Sequence, residues 1–496
     1  MLHLSKSRYC SAVQCPKMLW LKKNMPEAFD DSVVNQAVLD RGNDVGDLAM
    51  GLFGDYVEVP YGDLSEMIRQ TQTLIEAGTP IIAEASFSYD GLFCSVDILK
   101  NLGDRRVELV EVKSSTRVSD IYLHDVAYQV YVLTHLGFTV EKACLAHINS
   151  DYVRHGELDL QALFTVEDLT ETVFSMQTGV DERVQYLREY MAQTDEPEMG
   201  IGGQCFAPYA CGFFKYCGRA LPTPNIFDVG GIQLRTKLAN YDKGIVSFPE
   251  IEAAKKAVNP NGLMQVAHEL YDLPPAIERE KIARFLDGLS YPLYFLDFES
   301  FQPAVPLYDN SSPYEQIVFQ YSLHYIPAPG GGLLHREYLA QPGEDPRRGV
   351  AEALCRDIPV DVCTLAYNMS FEKGRIRALA ALYPDLSDHL MDIHDHIVDL
   401  MVPFQKRHYY CRAMQGSYSI KFVLPALFPD DPELDYHNLE GVHNGTEASA
   451  AFERMRDMNP QEREACRNQL LKYCGLDTLA MVKVWQKLTE VVGSNP

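Results

Sequence analysis

Long hydrophobic runs are missing from this sequence. No apolar stretch approaches the roughly 18 residues that a membrane-spanning helix needs. The first residues, Met1–Arg8, also lack the apolar core of a signal peptide. We therefore expect a cytoplasmic protein that has no membrane partner.

An excess of positive charge is missing as well. Lys and Arg number 44 against 69 Asp and Glu, which gives a formal net charge of −25. General nucleic-acid binders usually present a basic surface, so the charge alone argues against that class. Catalytic carboxylates and divalent metals change the local sign of the charge, and a metal-dependent site stays compatible with it.

Internal repeats and low-complexity tracts are absent too, which indicates ordinary globular domains. One hydrophobic core usually stops growing well below 496 residues, so the length predicts two domains or more. A hydrophobic content of 46% excludes a disordered chain. In a cytoplasmic protein, the 12 cysteines are expected to be thiols or metal ligands and not disulfides.

Alternating strand and helix patterns predict an α/β fold. The predicted strands are Ile81–Phe87, Leu92–Leu99, Arg106–Val112 and Tyr291–Asp297, and the predicted helices are Tyr122–Leu136 and Thr165–Met191. Prolines at positions 222 and 224 indicate a boundary. We predict a first domain over residues 1–220, a small helical connector over 221–288 and a second domain over 289–496.

A first group of chemically active side chains lies on two of these strands. Asp97 is near the end of one strand, and Glu111 and Lys113 are two positions apart on the next, so that they share a face. Two carboxylates can hold Mg²⁺ or Mn²⁺, and a lysine can stabilise charge on a phosphate. The alternative is a salt-bridged pair of strands on a solvated face.

This group resembles the RecB-like branch of the PD-(D/E)XK nuclease superfamily, whose motif Asp97, Glu111 and Lys113 match. The resemblance implies a restriction-endonuclease-like domain in which Asp97 and Glu111 bind the metal and Lys113 is catalytic. Gln129, on the helix that follows, would contact DNA or order the site. Tyr131 comes after it at a shorter spacing than in the family.

The family often supplies a histidine ligand from an early Gly-x3-His motif. This sequence has Gly46 at that position. Glu84 or Asp47 could take the place of the histidine, and either could equally be structural.

Four cysteines flank this first group. Cys15 precedes it, and Cys205, Cys211 and Cys217 follow it with five residues between neighbours. The order resembles one branch of RecB-like nucleases, which includes AddB and the CRISPR-associated RecB-like exonucleases, and this implies a 4Fe-4S cluster. Four thiolates could also hold zinc, and free buried cysteines are a third interpretation. A bound metal group would clamp the two ends of the domain together.

Basic side chains surround Cys15 in the sequence. They are Lys6, Arg8, Lys17, Lys22 and Lys23. They could contact phosphates or form the solvated face of a helix, and we favour the helix face.

A second group of active side chains lies in the C-terminal part of the chain. Asp297 and Glu299 share one face of an apolar strand, and such strands rarely carry two acids without a cation or a purpose. Glu372 lies at a strand-to-helix junction. Tyr473 and Asp477 are one helical turn apart.

The ordered set resembles the DEDD exonucleases, which are DnaQ-like members of the RNase H-like proteins, with Glu372 in place of the usual aspartate. The resemblance implies two Mg²⁺ or Mn²⁺ ions held by four carboxylates, a tyrosine that orients the attacking water, and release of nucleoside monophosphates from a 3′ end. The carboxylates are those of Asp297, Glu299, Glu372 and Asp477, and the tyrosine is Tyr473.

Two features near the second group have more than one interpretation. Asp399 is expected to be structural and not a further ligand. The basic and aromatic stretch Lys406–Arg412, with Gly416–Lys421 after it, could hold a single strand of nucleic acid or be a solvated loop.

Taken together, the resemblances predict a restriction-endonuclease-like domain joined by the connector to an RNase H-like (DnaQ-type) domain. The predicted function is a metal-dependent nuclease that acts on single-stranded ends, with DNA preferred over RNA. Two alternatives remain, namely a nucleic-acid-binding scaffold in which one or both sites are degenerate, and an RNA-processing exonuclease.

Overall fold

The computed structural model describes residues 4–493, apart from the side chains of residues 37 and 437. They form two compact units. Unit 1 is Met1–Ala220 with Pro303–Glu315, and unit 2 is Leu221–Gln302 with Gln316–Pro496. Both contain sheets and helices, which confirms the predicted α/β class. None of the helices described is long and apolar enough to cross a membrane.

Unit 1 contains the elements β1 to β7 and α1 to α9. The strands are β1 (Leu4–Ser5), β2 (Val57–Glu58), β3 (Ile81–Tyr89), β4 (Leu92–Asn101), β5 (Arg106–Lys113), β6 (Thr139–Ile148) and β7 (Phe164–Asp168). The helices are α1 (Lys6–Gln14), α2 (Pro16–Asn24), α3 (Gln36–Ala49), α4 (Leu64–Glu76), α5 (Asp120–His135), α6 (Leu160–Leu163), α7 (Thr170–Ser175), α8 (Gln177–Met191) and α9 (Phe214–Cys217).

The sheet of unit 1 has the order β2-β3-β4-β5-β6-β7, and β1 pairs with β4. Strands β3, β4 and β5 form an antiparallel meander, and α5 carries the chain from β5 to the parallel neighbour β6. Asp90 and Gly91 make the tight turn between β3 and β4 with positive φ angles of 45° and 79°. Helix α5 is rich in apolar residues and packs against the sheet, which brings its side chains close to β4 and β5.

One part of the predicted second domain packs in unit 1. This segment, Pro303–Glu315, places Ala304 in the same buried cluster as Val45 of α3 and Val112 of β5. Arg154 donates to two backbone carbonyl groups of the segment, at 3.0 and 3.1 Å. The sequence does not reveal this packing, because the segment has no periodic pattern and its apolar partners lie far away along the chain.

The predicted helix Thr165–Met191 is wrong at its start. Residues Phe164–Asp168 form β7, which pairs antiparallel with β6, and helical structure begins only at Thr170. β6 offers its backbone N–H and C=O groups at this edge of the sheet. Hydrogen bonds to β6 pair the backbone groups of residues 164–168 better than a helical turn would.

Unit 2 contains the elements β8 to β14 and α10 to α20. Its strands are β8 (Ala276–Ile277), β9 (Leu293–Phe301), β10 (Ile317–Ile326), β11 (Leu334–Leu339), β12 (Cys363–Ala366), β13 (Ile397–Asp399) and β14 (Tyr409–Tyr410). Its helices are α10 (Leu234–Tyr241), α11 (Phe248–Ala254), α12 (Pro260–Tyr271), α13 (Arg279–Leu286), α14 (Pro346–Asp357), α15 (Ser370–Leu382), α16 (Ser387–Asp395), α17 (Val402–Gln405), α18 (Ile420–Leu427), α19 (Gly445–Arg454) and α20 (Pro460–Val492).

The main sheet of unit 2 has the order β11-β10-β9-β12-β13. Its central strand β9 is antiparallel to β10 and parallel to β12. The long helix α20 packs across β9 and β10 and buries Leu476, Ala480 and Val484 in the core. Side chains of β9 and α20 therefore meet on one face of the sheet. The predicted connector falls within unit 2, where α11 and α12 share a small core of their own.

Candidate active sites

The first group of acids assembles at the junction of β4 and β5. The two strands pair antiparallel with Ile98 opposite Val110, so Asp97 and Glu111 come to neighbouring positions. The Val112 amide donates to Oδ2 of Asp97 at 2.7 Å, and Lys113 Nζ donates to Oε1 of Glu111 at 2.6 Å. The structure thus brings Asp97, Glu111 and Lys113 together, as the sequence predicted.

Helix α5 adds two polar side chains to this first site. Gln129 is fully buried, and its Nε2 donates to Oε2 of Glu111 at 2.6 Å and to Oδ1 of Asp125 at 3.1 Å. Asp125 also accepts from Lys113 Nζ at 2.7 Å. Sequence reasoning missed Asp125, although its i,i+4 spacing to Gln129 places both on one face of the helix. Tyr131 lies on another face and donates to Asp181 instead.

Lys6 also belongs to the first site. Its Nζ lies 3.1 Å from Oδ1 of Asp97 and 3.0 and 2.9 Å from the two oxygens of Glu111. The prediction that Lys6 lies on a solvated helix face is wrong, because β1 pairs with β4 and starts α1 directly beside Asp97. Lys17 is also buried, and it pairs with Glu196 at 2.7 Å.

The charges of the first site stabilise one another. Burial alone would raise the pKa of Glu111, but Lys113 and Lys6 hold it well below its usual value. Burial and the nearby Glu111 raise the pKa of both Asp97 and Asp125. Burial opposes the charge of Lys6, yet the surrounding carboxylates keep its pKa well above the usual value. Both lysines are therefore charged at neutral pH.

The two residues that were expected to replace a histidine ligand line one open cavity of ≈ 630 Å³. Glu84 is on β3 with a positive φ of 54°, in the position across from Asp97. Burial and Asp97 raise the pKa of Glu84 to about 7. Asp47, on α3, lies further along the same cavity. Glu84 is therefore the one of the two whose charge is coupled to the site.

The second group of acids assembles between β9, α15 and α20. Carboxylate oxygens of Asp297 and Glu299 and the Sγ atom of Cys474 all lie within 4.8 Å of one another. Asp477, one turn after Cys474 on α20, and Glu372, at the start of α15, both act electrostatically on Asp297. The structure therefore brings the four predicted carboxylates into one site.

Two residues of the second site were missed by sequence reasoning. Cys474, which the sequence motifs do not single out, lies among the acids because it is three residues before Asp477 on the same face of α20. The Tyr436 hydroxyl donates to Oδ1 of Asp477 at 2.6 Å. The predicted Tyr473 is buried nearby, with its ring centroid 6.0 Å from that of Tyr436.

The carboxyl groups of the second site crowd one another. Burial, together with the neighbouring acids, raises the pKa of Asp297 and Glu299 well above their usual values. Burial also raises the pKa of Asp477 to about 6 and that of Glu372 to about 8. Oε2 of Glu372 is buried and has no hydrogen-bond partner among the described residues. This site holds more negative charge than its own side chains balance.

A cavity of ≈ 740 Å³ opens beside the second site. Tyr436 lines it and links it to Asp477. Lys421 also lines it and lowers the pKa of Glu299 and Asp477 against the effect of burial. Asn444 caps the N-terminus of α19 at the cavity wall, and Gly445 follows it close to Glu299. The cavity therefore offers Lys421, one helix N-terminus and apolar side chains next to the acids, and Asp430, Asp431 and Asp435 line it as well.

Asp399 and the basic stretch near it have structural partners. Asp399 accepts from the backbone amides of Asn368 and Met401 at 3.0 and 2.9 Å, as expected for a structural acid. Arg407 is buried and donates to the carbonyl group of Ser417, and Arg412 pairs with Glu269. Arg407 is therefore closed off from a nucleic-acid strand, whereas Arg412 is about half exposed and held by Glu269.

The four predicted cysteines line one small cavity of unit 1. Burial raises the pKa of the Cys15, Cys205 and Cys217 thiols. Cys15 Sγ lies 3.3 Å from the sulfur of Met199, and Gln14 Nε2 ties the end of α1 to two carbonyl groups of the loop that carries Cys205. Distant parts of the chain thus bring four soft donor atoms together.

Comparison with known proteins gives a partial match. A family model described as a domain of unknown function (DUF2779) matches residues 294–419. The matched range contains Asp297, Glu299 and Glu372 and ends before Tyr473 and Asp477. No curated protein matches the chain. The similarity therefore concerns the first part of the second site and carries no activity with it.

Proposed function

We propose that the protein is a divalent-metal-dependent nuclease that hydrolyses phosphodiester bonds, with a DEDD-type 3′→5′ exonuclease site in unit 2. One observation carries this proposal, which is the convergence of Asp297, Glu299, Glu372 and Asp477. Packing alone does not explain why four buried or half-buried acids from three separate elements, β9, α15 and α20, meet in one place, since such charges need partners. Within residues 4–493, none of these four forms an ion pair of hydrogen-bond length.

The residues of the second site fit hard divalent cations. Carboxylate oxygens are the ligands that Mg²⁺ and Mn²⁺ prefer, and the unpartnered Oε2 of Glu372 is one such oxygen. Asp297, Glu299, Asp477 and Glu372 would hold the ions. Bound ions would supply charge stabilisation for the entering and leaving oxygens of the phosphodiester. The raised pKa values point to the same requirement, because a bound cation would offset the burial, and for Asp297 and Glu299 also the neighbouring acids, that raise them.

The other side chains of this site act on the substrate and on the acids. Tyr473 would orient the attacking water, and Tyr436 positions Asp477 through its hydrogen bond. The cavity beside the acids would take the terminal nucleotide, with Lys421 facing a phosphate and Phe428 and Leu424 under the base. The end of a single strand fits this arrangement, because a base pair would keep the terminal base out of the cavity.

The finer fold assignments and the substrate are part of the proposal. We assign unit 2 to the RNase H-like (DnaQ-type) proteins and unit 1 to the RecB-like PD-(D/E)XK nucleases, on the motifs that lie together in each site. DNA is the preferred substrate by the same resemblance. An RNA-processing exonuclease is the alternative that the second site also supports, because nothing in its cavity selects against a 2′-hydroxyl group.

We assign the four cysteines of unit 1 to one metal group, on the family resemblance. Among the described residues, no three of the four sulfur atoms lie within 4.8 Å of one another. A tetrahedral zinc ion with Zn–S bonds of about 2.3 Å would place its sulfurs about 3.8 Å apart. Zinc would therefore require these sulfurs to move closer together. We assign a 4Fe-4S cluster on the family resemblance, and either group would clamp α2 to the loop that carries Cys205.

Cleavage of labelled single strands tests the proposed function. The protein is incubated with 5′-labelled single-stranded DNA or RNA and Mg²⁺ or Mn²⁺, and Asp297→Asn is expected to lower the rate by at least about 100-fold through loss of a metal ligand. Asp388→Asn, an exposed acid of α16, is the matched control and should leave the rate unchanged. Equal rates with and without Asp297→Asn, in a protein whose first site is disabled by Asp97→Asn, would reject the site of unit 2. Absence of cleavage with every metal would favour the alternative of a binding scaffold.

A further inference from the structure

Lys6 occupies the position between the two acids of the first site. Its ammonium group contacts one oxygen of Asp97 and both oxygens of Glu111, at 2.9 to 3.1 Å. A group with three oxygen contacts from two carboxylates takes the place that a metal ion bridging them would need. The side chain of Glu111 is only 1% exposed and that of Lys6 is 21% exposed, so solvent reaches this contact from the side of Lys6.

Every carboxylate oxygen of the pair already has a donor. Asp97 accepts from Lys6 and from the Val112 amide. Glu111 accepts from Lys6 and Lys113 at Oε1 and from Lys6 and Gln129 at Oε2. With Asp125 included, three carboxylates contact two ammonium groups. A metal ion placed between these carboxylates would lie close to the ammonium groups of Lys6 and Lys113. The repulsion between these positive charges would oppose its binding.

The fold holds Lys6 in this position. Leu4 and Ser5 pair with β4, and the buried Tyr128 hydroxyl donates to the carbonyl group of Leu4 at 2.5 Å. Ser5 then caps α1, whose first residue is Lys6. The Lys6 backbone is thus fixed beside Asp97 from two sides, and only rotations of its own side chain could take the ammonium group away from the acids.

The second site of the same chain provides the contrast. Its four acids have no ammonium or guanidinium group within ion-pair distance in the described part of the chain, and burial and crowding raise their pKa values. One chain therefore contains an acid cluster that needs an added cation and another that already has one.

We propose that Lys6 is a built-in cation that competes with divalent metal ions for Asp97 and Glu111, so that metal enters the first site only when Lys6 leaves it. The inference rests on the proposed function in one respect, which is that Asp97 and Glu111 are metal ligands. According to this proposal, Lys6 occupies the first site at low metal concentration, and the site therefore binds metal only weakly.

Metal binding tests this without any nuclease assay. The full chain carrying Asp297→Asn, freed of metal, is titrated with Mn²⁺, and free Mn²⁺ is measured by electron paramagnetic resonance. Adding Lys6→Met, which keeps an unbranched side chain one atom shorter and removes its charge, should tighten Mn²⁺ binding by about tenfold or more. Adding Lys23→Met, an exposed lysine of α2, should change nothing. Adding Asp97→Asn to the Lys6→Met protein should abolish the gain.

Equal Mn²⁺ affinities with and without Lys6→Met would overturn the proposal. Acylation of lysines in the otherwise unsubstituted chain gives a second test that needs no folded Lys6 variant. Without metal, Lys6 should react far more slowly than Lys215, which is 79% exposed. Lys6 should become reactive as Mn²⁺ fills the first site. As long as that site holds no Mn²⁺, Lys6 should stay protected. Lys6 that reacts like Lys215 without metal, or stays protected while the first site binds Mn²⁺, would overturn the proposal. Loss of nuclease activity alone would concern the proposed function and not this one.

Discussion

The hydroxyl group of Tyr436 donates a 2.6 Å hydrogen bond to Oδ1 of Asp477. Tyr436 comes from a short 3₁₀ turn and Asp477 from the middle of α20, so the bond joins the wall of the cavity to the acids. Because the oxygen that accepts this bond keeps one lone pair, Asp477 can still bind a cation while Tyr436 fixes its orientation. The arrangement separates two tyrosines of the site, since Tyr473 is the one that the motif assigns to the water.

Substitution of the two tyrosines should have different kinetic effects. Tyr436→Phe removes a group that orients a ligand, and such outer partners typically contribute 10- to 100-fold to metal affinity or activity. We expect about a tenfold higher Mn²⁺ concentration for half-maximal cleavage, with kcat at saturating Mn²⁺ close to wild type. Tyr473→Phe should instead lower kcat at saturating Mn²⁺ by about 100-fold, as for a group that acts on the reacting water.

The control for this pair is Tyr291→Phe, a partly buried tyrosine of the same unit outside the acid cluster. It should alter neither parameter. A lower kcat for Tyr436→Phe with an unchanged metal requirement would show that Tyr436 acts on the substrate and does not position Asp477.

The site residues that could be predicted from the sequence are those within short motifs. Asp297 and Glu299 are two apart on a strand, and Tyr473 and Asp477 are four apart on a helix, so local periodicity is enough to place each pair on one face. Tyr436 has no such signal, because it lies in irregular chain and reaches Asp477 only through the fold. Lys6 was misassigned for the same reason, since its partner strand β4 is far from it in the sequence.

The pH dependence of stability should reveal the crowded acids. Burial raises the pKa of Asp477 to about 6 and that of Glu372 to about 8, whereas carboxyl groups of an unfolded chain titrate near about 4. Between these values the folded state binds more protons than the unfolded state, so the free energy of unfolding falls as the pH rises. Without metal, the free energy of unfolding of unit 2 should fall by about 1–3 kcal/mol between pH 5 and pH 8. This range corresponds to a net shift of about one to two pKa units.

Urea unfolding followed by fluorescence can report unit 2 alone. The chain has two tryptophans, of which Trp485 lies in α20 beside Phe295, so the Trp20→Phe protein reports unit 2. In that protein, Asp477→Asn should flatten the pH dependence and Asp388→Asn should not. Mg²⁺ should restore stability more at pH 8 than at pH 5. A pH-independent midpoint in metal-free protein would show that the acids are not crowded.

Loss of one cysteine of unit 1 should remove both colour and stability. A 4Fe-4S protein purified without oxygen absorbs at roughly 400 nm, and Cys211→Ala should abolish this band. Because binding of the metal group contributes directly to folding, unit 1 should also lose at least about 2 kcal/mol. Trp20, which is buried on α2 and donates to the Gln193 carbonyl group, reports this in a Trp485→Phe protein.

Cys355→Ala is the control, since Cys355 is a partly exposed thiol of unit 2. It should leave the band and the unfolding of unit 1 unchanged. A colourless protein that contains one zinc ion would reject the 4Fe-4S assignment and keep the clamp. A colourless protein without metal whose stability does not depend on Cys211 would reject both.

The segment Pro303–Glu315 should be necessary for the stability of unit 1. Ala304 is 4% exposed in the cluster that includes Val45 and Val112, so Ala304→Asp would bury an unpaired carboxylate there. We expect unit 1 to lose about 2–4 kcal/mol, measured by urea unfolding with Trp20 as the reporter in the Trp485→Phe protein. Leu307→Asp is the matched control, because that side chain is 45% exposed and its backbone carbonyl group keeps the bond from Arg154. Equally small effects of both substitutions would show that the segment is not part of the core of unit 1. In that case, a fragment of residues 1–220 should be as stable as the same unit in the full chain.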